Sequence, residues 1–310
     1  MSRDAFSDDP RDGLEQESRS ANGRTNSRST EPSRHIDLPL TNEHTGIDAR
    51  RLQLTRRKPE VMDTPRAHYL GDRAYLLRES ELQTLVEVGT FRAVAASDFG
   101  RISYCADTLR MEREIRRLKE QSLVSEKAVR AGRNTIRLFA LTKKGARLAR
   151  KSGLAPEEQI IYHGFVKPRE AKHDADLYRL YHAQALRIEG AGGRIARVVL
   201  DYELKRNLNR DLASLPPDQH SEEAREGIAR RHALSLVNGK IPVPDMRIEF
   251  DTAEMERKRL DLELATRNYR PRALAEKANA GFSLYALRED ASRLRRVLDK
   301  REITAEILSL

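Results

Sequence analysis

Residues 242–250 read PVPDMRIEF and residues 259–268 read RLDLELATRN. Each run sets carboxylates among apolar residues. Asp245, Asp261 and Glu263 are hard oxygen donors of the kind that hold a divalent ion such as Mg²⁺. An ion held there activates water and offsets charge developing on a phosphoryl group, while a nearby ammonium orients or deprotonates the nucleophile. Alternation in the second run puts Leu260, Leu262 and Leu264 on one strand face and Asp261, Glu263 and Ala265 on the other. The local spacing lacks the ammonium. Two residues past Asp261 stands Glu263, and two past Glu263 stands Ala265; Arg267 lies further on, and Lys277 falls on the next expected helix. Three readings stay open. The first is a working site with Asp245, Glu263 and Lys277 as catalytic groups and Asp245, Asp261 and Glu263 as metal ligands. The second is a degenerate site that no longer cuts. The third is a pair of half-exposed strands whose acids face water. His173-Asp174 is either a further site element or, more commonly, a helix start with an Asp cap.

A second set of residues suits nucleic-acid phosphates and guanine edges. Arg110, Arg113 and Arg117 stand at i, i+3 and i+7 of an expected helix over 106–123, opposite Met111, Ile115 and Leu118, with Arg116 and Lys119 flanking them. The spacing predicts an outward basic stripe. Arg130 and Arg133 mark the tip of an expected hairpin. Between residues 79 and 152 there are sixteen Lys and Arg against nine Asp and Glu, so this quarter of the chain carries +7 of the net +10. Interleaved Glu112, Glu114 and Glu120 leave an ordinary solvated helix face as the alternative.

These residues need elements to position them. Residues 1 to about 66 are polar and aperiodic and cannot offset their ordering entropy by apolar burial, so a disordered tail is expected. Its basic end, ARRLQLTRRK at 49–58, reads as a solvated segment or as an arm for phosphates. Helices are expected over 79–92, 93–104 and 106–123, then strands at 123–129 and 135–141 around the turn AGRN, then a helix over 142–151. Residues 153–172 read as a linker in which His163 is structural or exposed. Cys105 is expected to pack as a small apolar residue. Beyond it the reading is a helix to 193, a strand over 194–205, an insertion at 206–236, strands at 240–250 and 257–265, a helix over 269–281, a strand at 282–287 and one or two closing helices.

Composition bounds the function. The chain has 310 residues, one cysteine, no tryptophan, 34% charged residues, a pI near 9.7 and a mean hydropathy of −0.70. This fits a polyanionic partner better than a small metabolite. One cysteine excludes an intrachain disulfide and a thiolate zinc site. Scarce aromatics argue against a base-stacking platform. No stretch approaches a membrane span, and MSRDAFSDDPRDG has no apolar signal region, so no membrane partner and a cytoplasmic location are expected. Walker, GxGxxG and HExxH motifs are absent. Tyr178, Tyr181 and His182 have the spacing of helical packing rather than of a relaxase site.

Three helices followed by a hairpin is the order of a winged helix-turn-helix, expected over residues 76–152. The order α-β-(insert)-β-β-α-β over 173–310 matches a restriction-endonuclease-like αβββαβ core. Asp245 and the LDLELA run resemble the acids of its PD-(D/E)xK site in a degenerate form, unless Lys277 acts as a displaced lysine. The expected fold class is therefore α+β or α/β. With "LVEVGTFR", "LRMEREIRRLKEQSLV", "HDADLY", "PVPDMRIEF" and "LDLELATRNYRPRALAEKANAGFSLYA", residues 76–290 resemble the replication-relaxation-type proteins of plasmids and integrative elements. The resemblance implies a DNA-binding protein acting in replication, mobilisation or regulation of such an element. It implies double-stranded DNA as partner, with replication or mobilisation proteins and a second copy of the chain as further candidates. No cofactor is implied unless the nuclease-like site is active, in which case it is Mg²⁺.

Overall fold

Alternating residues RAHYL and RAYLL around a Gly-containing turn form an antiparallel hairpin, β1 (Arg66–Leu70) and β2 (Arg73–Leu77), the first strands among the described residues. The composition of the preceding segment gave no sign of it. In this computed structural model the described residues are 63–131, 134–165, 168–216, 221–266, 269–299 and 307–309. The expected disordered tail and its basic end, 49–58, lie outside them but for residues 63–66. The fold is mixed α+β, with helices and three sheets among the described residues.

Helix α1 (Glu79–Thr90) begins where Asp63 accepts from Glu79 N at 2.9 Å and Ser80 N at 2.9 Å, while Glu81 reaches back to Arg78 N at 2.8 Å. These bonds satisfy orphan N–H groups of the first turn. A two-residue strand β3 (Val94–Ala95), helix α2 (Ala96–Ile102) and helix α3 (Thr108–Glu120) follow. Asp107 caps α3, as its carboxylate accepts from Arg110 N at 2.9 Å. Strands β4 (Val124–Ala131) and β5 (Asn134–Leu141) form a hairpin, with β3 on the far edge of β5. Helix α4 (Lys143–Lys151) is capped by Thr142, whose Oγ1 accepts from Gly145 N at 3.1 Å. Gly145 is required there: an added Cβ would lie 2.1 Å from the Leu123 carbonyl oxygen.

Residues 153–165, expected as linker, are pinned to their surroundings. Ile161 is buried, Tyr162 N donates to Gly89 O at 2.8 Å, and the Gln159 amide bonds both Val198 N and Val198 O, at 2.9 and 3.0 Å. Helix α5 (Pro168–Gly190) starts inside the expected linker, with its proline in the first turn.

The second half is a five-stranded sheet in the order β10-β9-β8-β7-β6. Strand β6 (Arg194–Leu200) stops five residues short of its expected end. Leu204 and Leu208, both buried, fall one turn apart, and the chain continues as helix α6 (Asp201–Ala213). Helix α7 (Glu222–Arg231) follows. Strand β7 (Met246–Asp251) starts only after Pro242 and Pro244, which have no N–H for the ladder. Strand β8 (Arg257–Ala265) pairs antiparallel with β7. Helix α8 (Pro271–Asn279) then crosses to β9 (Ser283–Ala286), which runs parallel to β8. Helix α9 (Arg288–Asp299) and an unexpected parallel edge strand β10 (Ile307–Ser309) complete the described chain.

One apolar core joins both halves. It runs from Leu85, Phe99, Ile115 and Leu141 through Tyr178 and Tyr181 of α5 to Met246, Ile248, Leu262 and Leu264. A second core on the other sheet face holds Val199, Leu208, Ala265, Leu274 and Leu284.

Candidate active site and nucleic-acid interface

Both faces of the sheet are covered, so the acids on β7 and β8 do not line a wet face. Glu263 is 0% exposed and Asp261 is buried. This overturns the reading of half-exposed strands with solvated acids.

Asp245 ends the proline-rich approach to β7, opposite Glu263 on β8. Its N–H donates to Glu263 Oε2 at 3.2 Å, and its Oδ2 accepts from Leu264 N at 2.9 Å. Lys277, in the last turn of α8, reaches back over the strand ends. Its Nζ lies 2.9 Å from Glu263 Oε2 and donates to Val243 O at 2.5 Å. The lysine missing from the β8 spacing is thus supplied by the following helix. His173, in the second turn of α5, places Nε2 3.3 Å from Asp245 Oδ2. The Tyr269 hydroxyl is hydrogen-bonded to Glu263 Oε1. The structure therefore brings Asp245, Glu263, Lys277 and His173 to one point.

Asp261 is not part of this group. It sits in register with Arg247, which binds it at 2.6 and 2.9 Å while donating to His232 O and Ala233 O at 2.8 and 2.9 Å. A metal set of Asp245, Asp261 and Glu263 is not assembled, because Asp261 is committed to a buried ion pair. Among the described residues no cluster of three acidic, His or Cys side chains has metal-holding geometry. Two carboxylates do suit Mg²⁺, which keeps most of its water shell and needs only one or two protein ligands. Arg267 lies outside the described residues.

The electrostatics of the cluster follow from burial and proximity. Burial and the adjacent Asp245 charge push the Glu263 carboxyl up to about 7, against the pull of Lys277 and Tyr269. Burial also acts to raise Asp245, but the hydrogen bond and charge of His173, with Lys277 and the Leu264 N–H, outweigh it and hold it low. For His173, burial favours the neutral ring, yet Asp245 dominates and raises it to about 9. Burial raises neighbouring Asp174 to about 6, although Arg92 lies 3.5 Å away. The pair therefore splits: His173 joins the cluster and Asp174 faces Arg92.

On α3, Met111, Ile115 and Leu118 are buried as their spacing predicts, but the basic stripe is rotated. Arg110 and Arg117 turn inward toward two buried carboxylates, Glu114 on α3 itself and Glu81 on α1. Arg110 Nε lies 3.0 Å from Glu114, which also accepts from Tyr104 OH at 2.7 Å. Arg117 Nε lies 2.7 Å from Glu81. Buried carboxylates demand such cations, so the outward stripe of Arg110, Arg113 and Arg117 is corrected to the line Leu109, Arg113, Arg116, all exposed. Lys119 pairs with Glu126 at 2.7 Å. Arg130 is exposed on β4, and Arg133 lies outside the described residues.

Sequence reasoning missed Arg247 and Tyr269. The β7–β8 register exposes the role of Arg247, because it places Arg247 opposite Asp261; no periodic signal marks Tyr269. Neither a family model nor a curated protein matches the chain.

Proposed function

We propose that this chain is a duplex-DNA-binding protein whose second half carries a Mg²⁺-dependent phosphodiesterase centre. The observation that carries the enzymatic part is the convergence of Lys277 Nζ on Glu263 beside Asp245. The order α5-β6-β7-β8-α8-β9, with α6 and α7 inserted between β6 and β7, and with three antiparallel strands and a fourth parallel to the third, supports a restriction-endonuclease-like core. The order α1-β3-α2-α3-β4-β5, with β3 paired to β5, supports a winged helix-turn-helix with α3 as its groove-reading helix.

In this reading Asp245 and Glu263 would hold the ion. When bound, a divalent ion supplies water activation and charge stabilisation at the phosphoryl group. Lys277, beside Glu263, would orient or deprotonate the nucleophile that the ion activates. Tyr269 and the Asp245 N–H fix the Glu263 carboxylate, while His173 and the Leu264 N–H fix that of Asp245. Arg113, Arg116 and Arg130 face the duplex. The resemblance to replication-relaxation-type proteins extends the role to replication, mobilisation or control of a plasmid or integrative element.

One observation favours a second reading, a DNA-binding protein that does not cut. The Glu263–Lys277 and Asp245–His173 pairs already balance the charge of the centre without a metal. A plasmid-nicking assay with Mg²⁺ or Mn²⁺, run beside duplex binding, separates the two. The nuclease reading expects nicking by wild type and a loss of about 100-fold or more in Asp245→Ala and Lys277→Ala with binding retained. Binding without nicking by wild type under either metal selects the second reading.

A further inference from the structure

Helix α4 carries five cations in nine residues, Lys143, Lys144, Arg147, Arg150 and Lys151, and no acid. At 3.6 residues per turn all five fall within an arc of about 120°. All are exposed, whereas Gly145, Ala146, Leu148 and Ala149 on the opposite arc are buried. Among the described residues no carboxylate pairs with any of the five. The contrast with α3 is sharp: Arg110, Arg117 and Lys119 there are each held by a glutamate. Arg150 donates to Ile161 O at 3.3 Å and Lys151 to Tyr69 O at 3.0 Å, which leaves Lys143, Lys144 and Arg147 turned to solvent without a protein partner among the described residues.

We infer that α4 is a phosphate-gripping surface for duplex DNA, separate from the base-facing side of α3. The inference rests on the duplex-binding part of the reading above. The stripe runs about 12 Å along the helix, and a duplex presents a charge about every 1.7 Å of its axis, so one helix spans several phosphates. The helix is clamped through Gly145 against the Leu123 carbonyl, so its charges are held on a rigid support. An anionic bilayer is the competing polyanion. Surface-lying helices bind bilayers by burying an apolar face, and the apolar face of α4 is already spent on the core. Contacts of this kind position a protein without reading sequence.

The test is binding of the full chain to two unrelated duplexes by fluorescence anisotropy across a salt series, with the triple variant Lys143→Ala/Lys144→Ala/Arg147→Ala and the double variant Arg113→Ala/Arg116→Ala. The inference expects the triple variant to weaken both duplexes equally and to reduce the slope of log K against log salt by about three. A triple variant with wild-type affinity and slope, while the double variant loses binding, overturns the α4 surface and leaves the duplex reading standing. Wild type that binds neither duplex at low salt overturns both. Wild type that binds phosphatidylglycerol vesicles but neither duplex overturns them in favour of a membrane surface.

Discussion

Arg247 and Asp261 meet in register across β7 and β8, both buried, and the guanidinium also closes two backbone carbonyls after α7. Removing one member of such a pair strands a buried charge. Arg247→Ala is expected to cost about 3–5 kcal/mol of stability, measured by urea denaturation, and to leave the proposed metal-dependent nicking by the folded fraction intact. Loss of activity without loss of stability would place Asp261 back in the catalytic group. Asp174 makes a second prediction. Burial, more than any neighbouring charge, pushes its carboxyl up to about 6 in the folded chain, from the ordinary aspartate value of about 4. Between these values the folded state binds the extra proton, so this group's contribution to stability falls as pH rises from about 4 to 6 and stays low above it. Asp174→Asn is therefore expected to flatten that part of the stability profile, in thermal melts from pH 4 to 7; an unchanged profile would place the titration elsewhere. At this scale Asp245, Glu263 and Lys277 were legible as candidates from residue type. Their meeting was not, because it depends on where the last turn of α8 ends over the sheet. Asp261 misled because strand alternation puts it on the same face as Glu263 but says nothing of the arginine across the ladder.

At the scale of elements, α3 shows how far periodicity carries. The apolar positions 111, 115 and 118 fixed which side is buried. The charged positions were off by about a fifth of a turn, because buried Glu81 on α1 and buried Glu114 on α3 draw Arg117 and Arg110 inward. Helical spacing puts Glu114 on the face of Met111, Ile115 and Leu118, but a carboxylate is ordinarily read as solvated. The consequence is testable. Arg117→Ala leaves Glu81, 1% exposed, short of a charged partner and is expected to destabilise the fold by about 1–3 kcal/mol. Duplex affinity per folded molecule should hardly change. Arg116→Ala should do the reverse, with an unchanged melting temperature and weaker binding. Paired melting curves and titrations check both, and a loss of affinity without destabilisation in Arg117→Ala would restore the stripe read from sequence. Element boundaries were lost for chemical reasons as well. Pro242 and Pro244 delay β7, and the helical spacing of Leu204 and Leu208 ends β6 early.

At the scale of the whole molecule, composition suggests two domains and a linker, yet α5 packs against both halves at once. Phe91 at the end of α1 meets Tyr178 edge-on at 5.2 Å and Tyr181 at 4.9 Å. The Tyr178 hydroxyl donates to Glu87 Oε1 at 2.8 Å and is also bonded to Ser103, and His182 lies 3.2 Å from the same carboxylate. The other side of α5 covers Met246, Ile248 and Leu262 of the sheet. A core shared in this way couples the unfolding of its parts, since neither half can open without exposing the same aromatic side chains. Phe91→Ala deletes a fully packed ring and is expected to cost about 3–5 kcal/mol. Because α5 belongs to both halves, the loss should reach the sheet that bears Asp245 and Glu263 as well as the hairpin beside α3. Amide hydrogen exchange in β5 and in β8 measures this directly. Protection should fall by the same free energy in both strands, as it does when they share one cooperative opening. A loss confined to β5, with β8 protected as in wild type, would show that the two halves unfold separately and that the contacts of α5 with the first half are a docking rather than a common core.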